Sequence, residues 1–216
     1  MQSKNIIITQ IKTKPNTSQC FISINNLDIL ECSFDLVLKH NLQKGMVLTD
    51  ELLAEIKKEQ KIFEIKRTAL NFASFKPRTT QQIKNKLRLK GFNQEEISFA
   101  IDFLREFKML DDEKYAQDFV RSYLNRKSVG KSKLIAELRK RGISENIAES
   151  AVDIHFAPES EYSLAIRAVE KKLKSLKNKP PDKQLNSLIS YLQRNGFRWE
   201  TIKKVIEEIL PIQNDF

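Results

Sequence analysis

The sequence predicts a mainly α protein: three tandem three-helix repeats in an elongated, curved array, with a small N-terminal β-hairpin segment. Three observations carry that expectation. Short β-type runs fill the first 48 residues, and the period turns helical from Thr49 onward. Three of the five glycines, Gly91, Gly142 and Gly196, stand 51 and 54 residues apart within one recurring apolar register. A longer helical pattern precedes each of them. The resulting boundaries are 1–48 for the hairpin plus a short helix, then 49–111, 112–158 and 159–216 for the repeats.

Composition narrows the partners. Charged residues make up 31% of the chain, and no apolar run approaches the ~20 residues that span a bilayer, so no membrane role and a cytoplasmic location are expected. Lys and Arg number 38 against 28 Asp and Glu, and the excess is spread as +2, +2, +2 and +4 over 1–48, 49–112, 113–159 and 160–216. A basic surface along the molecule, not a basic tail, suits an extended polyanion. Cys20 and Cys32 are too few for a secreted disulfide scaffold and read as packed, reduced thiols. His40 and His155 have no cysteine near them, so neither a metal nor any cofactor is expected.

Within 1–48, Asn5–Lys12 and Gln19–Ile24 are rich in Ile, Thr and Phe with partial alternation, which reads as strand. Asn25-Asn26 suits a tight turn, and Leu27–Cys32 returns as partner strand. Ser33 is placed to cap a short helix through Leu36, Val37 and Leu38, and Gly45 ends it or its turn. Thr49 then precedes a helix with an apolar stripe of Leu52, Leu53, Ile56, Ile62, Ile65, Ala69, Leu70 and Phe72. Lys76-Pro77 stops it.

In the repeats, Ile83/Leu87, Leu134/Leu138 and Leu188/Leu192 stand eight and four residues before the glycines, and Phe92, Ile143 and Phe197 follow them by one. Residues at i and i+4 share a helix face, and a glycine just past the end takes the left-handed conformation that folds the next apolar residue back. Beyond the corner the apolar anchors are Ile97, Ile101 and Leu104 in the first copy and Ile202, Ile206 and Ile209 in the third. In the second they read as Ile147, Ala151 and Ile154, one residue early. Asn93 with Glu96 forms a capping box, and Ser144 takes the cap position of the second copy. The leading helices are Leu52–Phe75, Asp112–Lys127 and Glu159–Leu176. The segment Lys174–Pro181 reads as a lysine-rich solvated loop, with Asp182 capping the next helix.

No constellation supports catalysis. Val129-Gly130-Lys131-Ser132 lacks the earlier glycine of a phosphate-binding loop, since Asn125 stands there, and reads as a flexible turn that starts a basic helix. Asp111-Asp112 suits helix capping. Basic residues are the better signal. Arg78, Lys84, Lys86, Arg88 and Lys90 surround the second helix of the first repeat. Arg121, Arg126, Lys127, Lys131, Lys133, Arg139, Lys140 and Arg141 surround the equivalent helix of the second, off its apolar face and projecting outward. Recurrence at one place in two repeats marks a surface for phosphate or acidic protein. The glycine corner resembles a helix-turn-helix, but the following helices are acidic or bland, so any DNA contact is with the backbone. Tyr115, Phe119 and Tyr123 recur every fourth residue and read as a core face. Trp199 occupies the offset of Gln94 and Glu145, which is exposed, and is a candidate for partner contact.

Leu110-Asp111-Asp112, Tyr115-Ala116, Phe119-Val120, Gly130 with Lys131 and Leu134, then Leu138 and Arg141-Gly142-Ile143-Ser144 together resemble the signature of the bacterial RecX regulatory family. Ala69-Leu70, Pro77-Arg78-Thr79 and Gly91-Phe92 resemble its first repeat. The likeness covers Thr49 to Leu210, the third repeat departs from it by its enlarged basic loop, and the hairpin segment resembles an extension some members carry. The resemblance implies a non-enzymatic monomer that binds the RecA recombinase and its filament on single-stranded DNA. It would restrain filament growth, strand exchange and RecA's ATP hydrolysis, and touch single- and double-stranded DNA through their backbones. The alternatives are a DNA-binding protein with tandem helix-turn-helix-like units acting without RecA, and a helical scaffold for another acidic protein.

Overall fold

The computed structural model describes residues 6–15, 17–25, 28–156, 158–176 and 180–209. Asn5 of the expected first strand, Asn26 of the expected turn, Leu27 of the expected partner strand, Lys177 to Lys179 of the lysine-rich loop and Leu210 lie outside the described residues. The elements are β1 (Ile6–Thr13), β2 (Gln19–Ile24), β3 (Asp28–Ser33), α1 (Phe34–Lys39), β4 (Val47–Leu48), α2 (Asp50–Ser74), α3 (Thr80–Leu89), α4 (Gln94–Glu106), α5 (Asp112–Leu124), α6 (Lys131–Arg139), α7 (Glu145–His155), α8 (Pro158–Leu173), α9 (Pro181–Arg194) and α10 (Trp199–Ile209). They form two compact units, 1–72 with 87–104 and 73–86 with 105–216.

The first unit carries an antiparallel sheet of order β3-β2-β1-β4. The expected β2–β3 hairpin is therefore one side of a larger sheet. β1 pairs along β2, with Ile11 opposite Ile22, and β4 closes on Ile6 and Ile7. A two-residue strand shows no period, so β4 left no trace in the sequence pattern. Alternate residues point inward, and Ile8, Cys20, Ile22, Ile24 and Cys32 pack with Leu36, Leu48 and Ile56 of α2. Asn25 turns the chain at φ +47, and its side-chain oxygen accepts from the Ile7 N–H at 3.0 Å. Cys20 stands directly opposite Cys32, both as free buried thiols, and burial pushes the Cys32 thiol up to about 11. Ser33 caps α1 by accepting from the Leu36 N–H at 3.4 Å. Its own N–H donates to Gln60 Oε1 of α2 at 2.7 Å, and Glu59 binds Lys39 and His40 from the same helix. Asn93 and Glu96 form the expected capping box at 2.8 and 2.9 Å, and Ile97, Ala100, Ile101 and Leu104 are buried on α4.

The second unit is built on one apolar cluster drawn from α5 to α10. Ala116 and Val120, Leu134 and Leu138, and Leu188 and Leu192 are buried at their helical spacings. Burying each leucine contributes about 1.5–3 kcal/mol. Past the second glycine corner the expected anchors shift. Ile154 is 62% exposed and Ile147 only half-buried, whereas Ala148, Ala151 and Val152 form the buried face. Ala148 and Val152 hold the same offsets from Gly142 as Ile97 and Ile101 hold from Gly91, so the register is unbroken. Small and β-branched residues fill it, and two larger isoleucines beside them mislead the eye.

Ser144 holds the expected cap position of α7, and the cap expected at Asp182 lies elsewhere. Ser144 makes no side-chain cap bond, and its carbonyl alone accepts from Ala148. Pro180 takes the cap position of α9 with Pro181 as first helical residue, which leaves Asp182 inside the first turn, where the helix dipole favours a carboxylate. Asp111 does cap α5, accepting from the Lys114 N–H at 2.9 Å. The three corner glycines have φ of +85, +81 and +76. Gly142 sits against Gln81 at the start of α3, and Gly196 against Lys133 at the start of α6.

Candidate protein and nucleic-acid interface

The basic surface of the second repeat rests on α5, the turn after it, α6 and the corner before Gly142. Tyr115, Phe119 and Tyr123 pack against the core, with the Phe119 and Tyr123 rings 5.3 Å apart and tilted by 45°. Cations lie over them, Arg141 4.4 Å from the Phe119 centroid and Lys127 5.4 Å from that of Tyr123.

One carboxylate organises much of the charge. Glu137 receives Arg141 at 3.0 Å, Lys140 at 3.2 Å and Lys133 at 4.0 Å. The hydrogen bond from Arg141, then that from Lys140, holds the Glu137 carboxyl below the usual carboxylate range. Three cations on one carboxylate leave a local positive excess. Lys131 reaches Asp153 at 2.6 Å, Arg139 reaches Glu145 at 3.3 Å, and Arg121 pairs with Asp118. Arg126 donates to the Ser122 carbonyl at 3.0 Å.

Outward projection holds for some of these residues only. The Arg139 and Lys140 side chains are 58% and 67% exposed, while Lys131 is 18% exposed and laid across Phe156. Arg141 is half-buried, as are Arg78 and Lys84, and Arg88 is exposed. Arg78 and Lys84 belong to the second unit and Arg88 to the first. Trp199 opens α10 and is 55% exposed. The Val129–Ser132 segment is no flexible turn. Val129 and Gly130 are buried, and the Gly130 N–H donates to the Asn195 carbonyl at 2.9 Å.

Two features are missing from the sequence expectations. Glu137 lies three and four residues before Lys140 and Arg141, a spacing that itself announces pairing on a helix. Thr79 and Gln82 form a second capping box, with Thr79 Oγ1 accepting from the Gln82 N–H at 3.2 Å and Gln82 Oε1 accepting from the Thr79 N–H at 3.4 Å. Among the described residues no group of three or more His, Cys, Asp or Glu is placed to hold a metal ion, and no helix is long and apolar enough to cross a membrane.

Three consecutive family models match the chain: RecX, first three-helix domain, over residues 66–104; the second over 111–152; and the third over 159–206. The chain is 31% identical over 211 residues to the regulatory protein RecX of Clostridium acetobutylicum, spanning 96% of this chain and 98% of that one. The chain belongs to the RecX family. The RecX protein of Clostridium perfringens strain 13 is 29% identical over 205 residues. In fold the chain is similar to a crystal structure of regulatory protein RecX, with a TM-score of 0.73 over 94% of this chain and 99% of that one at 22% identity. RecX from Lactobacillus salivarius aligns at a TM-score of 0.63 and 27% identity, covering 68% of this chain and 96% of that one. The three repeats are thus RecX three-helix domains, and the chain is a regulatory protein of that family.

Proposed function

We propose that this chain binds the RecA recombinase and its filament on single-stranded DNA, and restrains filament growth, strand exchange and RecA's ATP hydrolysis. The observation that carries the reading is the run of three RecX domain matches along one chain that spans nearly the whole length of RecX regulatory proteins. Physical support comes from the α6 surface. Lys133, Arg139 and Lys140 are held by ion pairs at the protein surface, which are weak and screened by salt. A partner's carboxylates or DNA phosphates compete for them on equal terms. Arg121, Arg126, Lys127, Lys131 and Arg141 extend this surface, and Arg78, Lys84, Arg88 and Trp199 are further contacts. The working segments are 1–48, 49–111, 112–158 and 159–216, acting as a cytoplasmic monomer.

Cosedimentation with RecA filaments preassembled on single-stranded DNA tests the reading. The chain is expected to pellet with filaments at low protein-to-RecA ratios and to release as salt rises. Binding to naked DNA that is as tight as to the filament would favour a DNA-binding role without RecA.

A further inference from the structure

The chain holds only two cysteines in 216 residues, and β2 and β3 set them face to face. Both are free thiols buried in the core of the first unit. Main-chain bonding fixes their spacing. Phe34 donates its N–H to the Ser18 carbonyl at 2.8 Å, in the register that sets Gln19 opposite Ser33. Bonded and unbonded pairs alternate along an antiparallel ladder. Cys20 and Cys32, two steps on, are therefore again a bonded pair, with Cα atoms about 5.5 Å apart. That lies inside the range of roughly 4.4–6.8 Å over which a disulfide closes.

β3 is an edge strand, held by the sheet on one side alone. While it is closed, Cys32 Sγ donates to the Ser33 carbonyl at 3.4 Å, and burial pushes both thiols up, Cys32 to about 11. Neither sulfur then meets solvent or forms the thiolate that attacks. Peeling of the edge strand exposes both. Directly opposed Cβ atoms in such a ladder stand about 4.5–5.5 Å apart, against about 3.8 Å across a relaxed disulfide. A bond between these cysteines therefore draws β3 toward β2. Disulfides strained in this way are the ones that ordinary small thiols reopen.

We propose that Cys20 and Cys32 are a reversible redox pair, oxidised to a cross-strand disulfide by a small-molecule disulfide such as oxidised glutathione. One cysteine thiolate attacks a sulfur of the small disulfide, which releases its first thiol and leaves a mixed disulfide on the protein. The second cysteine thiolate attacks the protein sulfur of that bond, so the Sγ–Sγ bond forms and the second small thiol leaves. The two cysteine protons end on the two departing thiols. Two cysteines are oxidised and one small disulfide is reduced. The product ties β3 to β2 immediately before Ser33, the cap of α1. Neither cysteine belongs to the proposed RecA contact, so failure here leaves that reading untouched.

The test equilibrates the folded full chain with a series of oxidised-to-reduced glutathione ratios, quenches with acid and maps the thiols by mass spectrometry. Excess oxidised glutathione is expected to remove two hydrogens from the parent mass and to link Cys20 to Cys32. Excess reduced glutathione is expected to restore both thiols. Amide exchange at Leu30 and Cys32, whose N–H groups face β2, should slow about tenfold in the oxidised chain, because the closed loop restricts peeling. Two free thiols in the folded chain at every ratio overturn the proposal. So do glutathione adducts or chain-to-chain links in place of the internal bond. A bond that excess reduced glutathione leaves closed overturns it as well, as does faster exchange at Leu30 and Cys32 in the oxidised form.

Discussion

Gly130 donates its backbone N–H to the carbonyl oxygen of Asn195 at 2.9 Å, across the step from one repeat to the next. Thr79 holds the place of Gly130 in the first repeat, and its hydroxyl donates to the Arg141 carbonyl at 2.6 Å. Arg141 precedes Gly142 as Asn195 precedes Gly196. The residue that opens one repeat's second helix thus satisfies the carbonyl at the next repeat's corner, a group the helix end leaves without an internal partner.

The approach at Gly130 is close, for a Cβ there would stand 2.1 Å from the Gly196 carbonyl oxygen. Gly130→Ala is expected to force the two backbones apart at a cost of about 3 kcal/mol, the upper end for overpacking. A lowered urea midpoint by circular dichroism reports it, and a midpoint equal to the parent's would mean the junction yields freely.

Thr79→Val keeps the shape and removes two interactions, the cap on the Gln82 N–H and the bond to Arg141. A loss of about 1–2 kcal/mol is expected, because α3 loses its cap while the Arg141 carbonyl loses a donor. Thr79→Ser should recover most of it, and a serine variant as unstable as the valine one would contradict the hydrogen-bond account.

Gln60→Leu leaves the buried Ser33 N–H without its acceptor at an expected cost of about 1–3 kcal/mol. Amide hydrogen exchange at Ser33 and along β3 should accelerate in the variant. Exchange as slow as in the parent would show that water or a neighbour replaces the glutamine.

What the sequence discloses follows from how local each signal is. The Ser33 cap, the Asn93–Glu96 box, the Asp111 cap and the three glycine corners each depend on residues within one turn, and all are legible. The α7 register is not, because Ala148 is small and Ile147 and Ile154 flank the true face. Gln60 looks like an interruption of the α2 stripe until β3 lies beside it. The surface cations are easy to find and hard to orient. Which of them faces water depends on Glu137, Asp153 and Phe119, brought in by helical spacing or by packing.

Glu137 carries a pH signature. Arg141 and Lys140 depress its carboxyl in the folded state. A depressed carboxylate pKa contributes stability that is fully present above the unfolded-state value and is lost as pH falls through the folded one. Glu137→Gln should therefore melt below the parent at neutral pH, with the gap closing as the solution is acidified past the ordinary carboxylate range. A gap constant from neutral to strongly acid pH would place the effect in packing instead of charge.

The central claim is regulation of a RecA filament, and the single-stranded-DNA-dependent ATPase of the cognate RecA tests it most directly, with this chain added far below RecA's concentration. A steep fall in ATP hydrolysis at such ratios is predicted, with the combined Lys133→Glu, Arg139→Glu and Lys140→Glu variant much weaker when assayed at a temperature where its melt shows it fully folded. ATPase that stays level until the chain saturates the DNA would contradict the account and point to simple competition for nucleic acid.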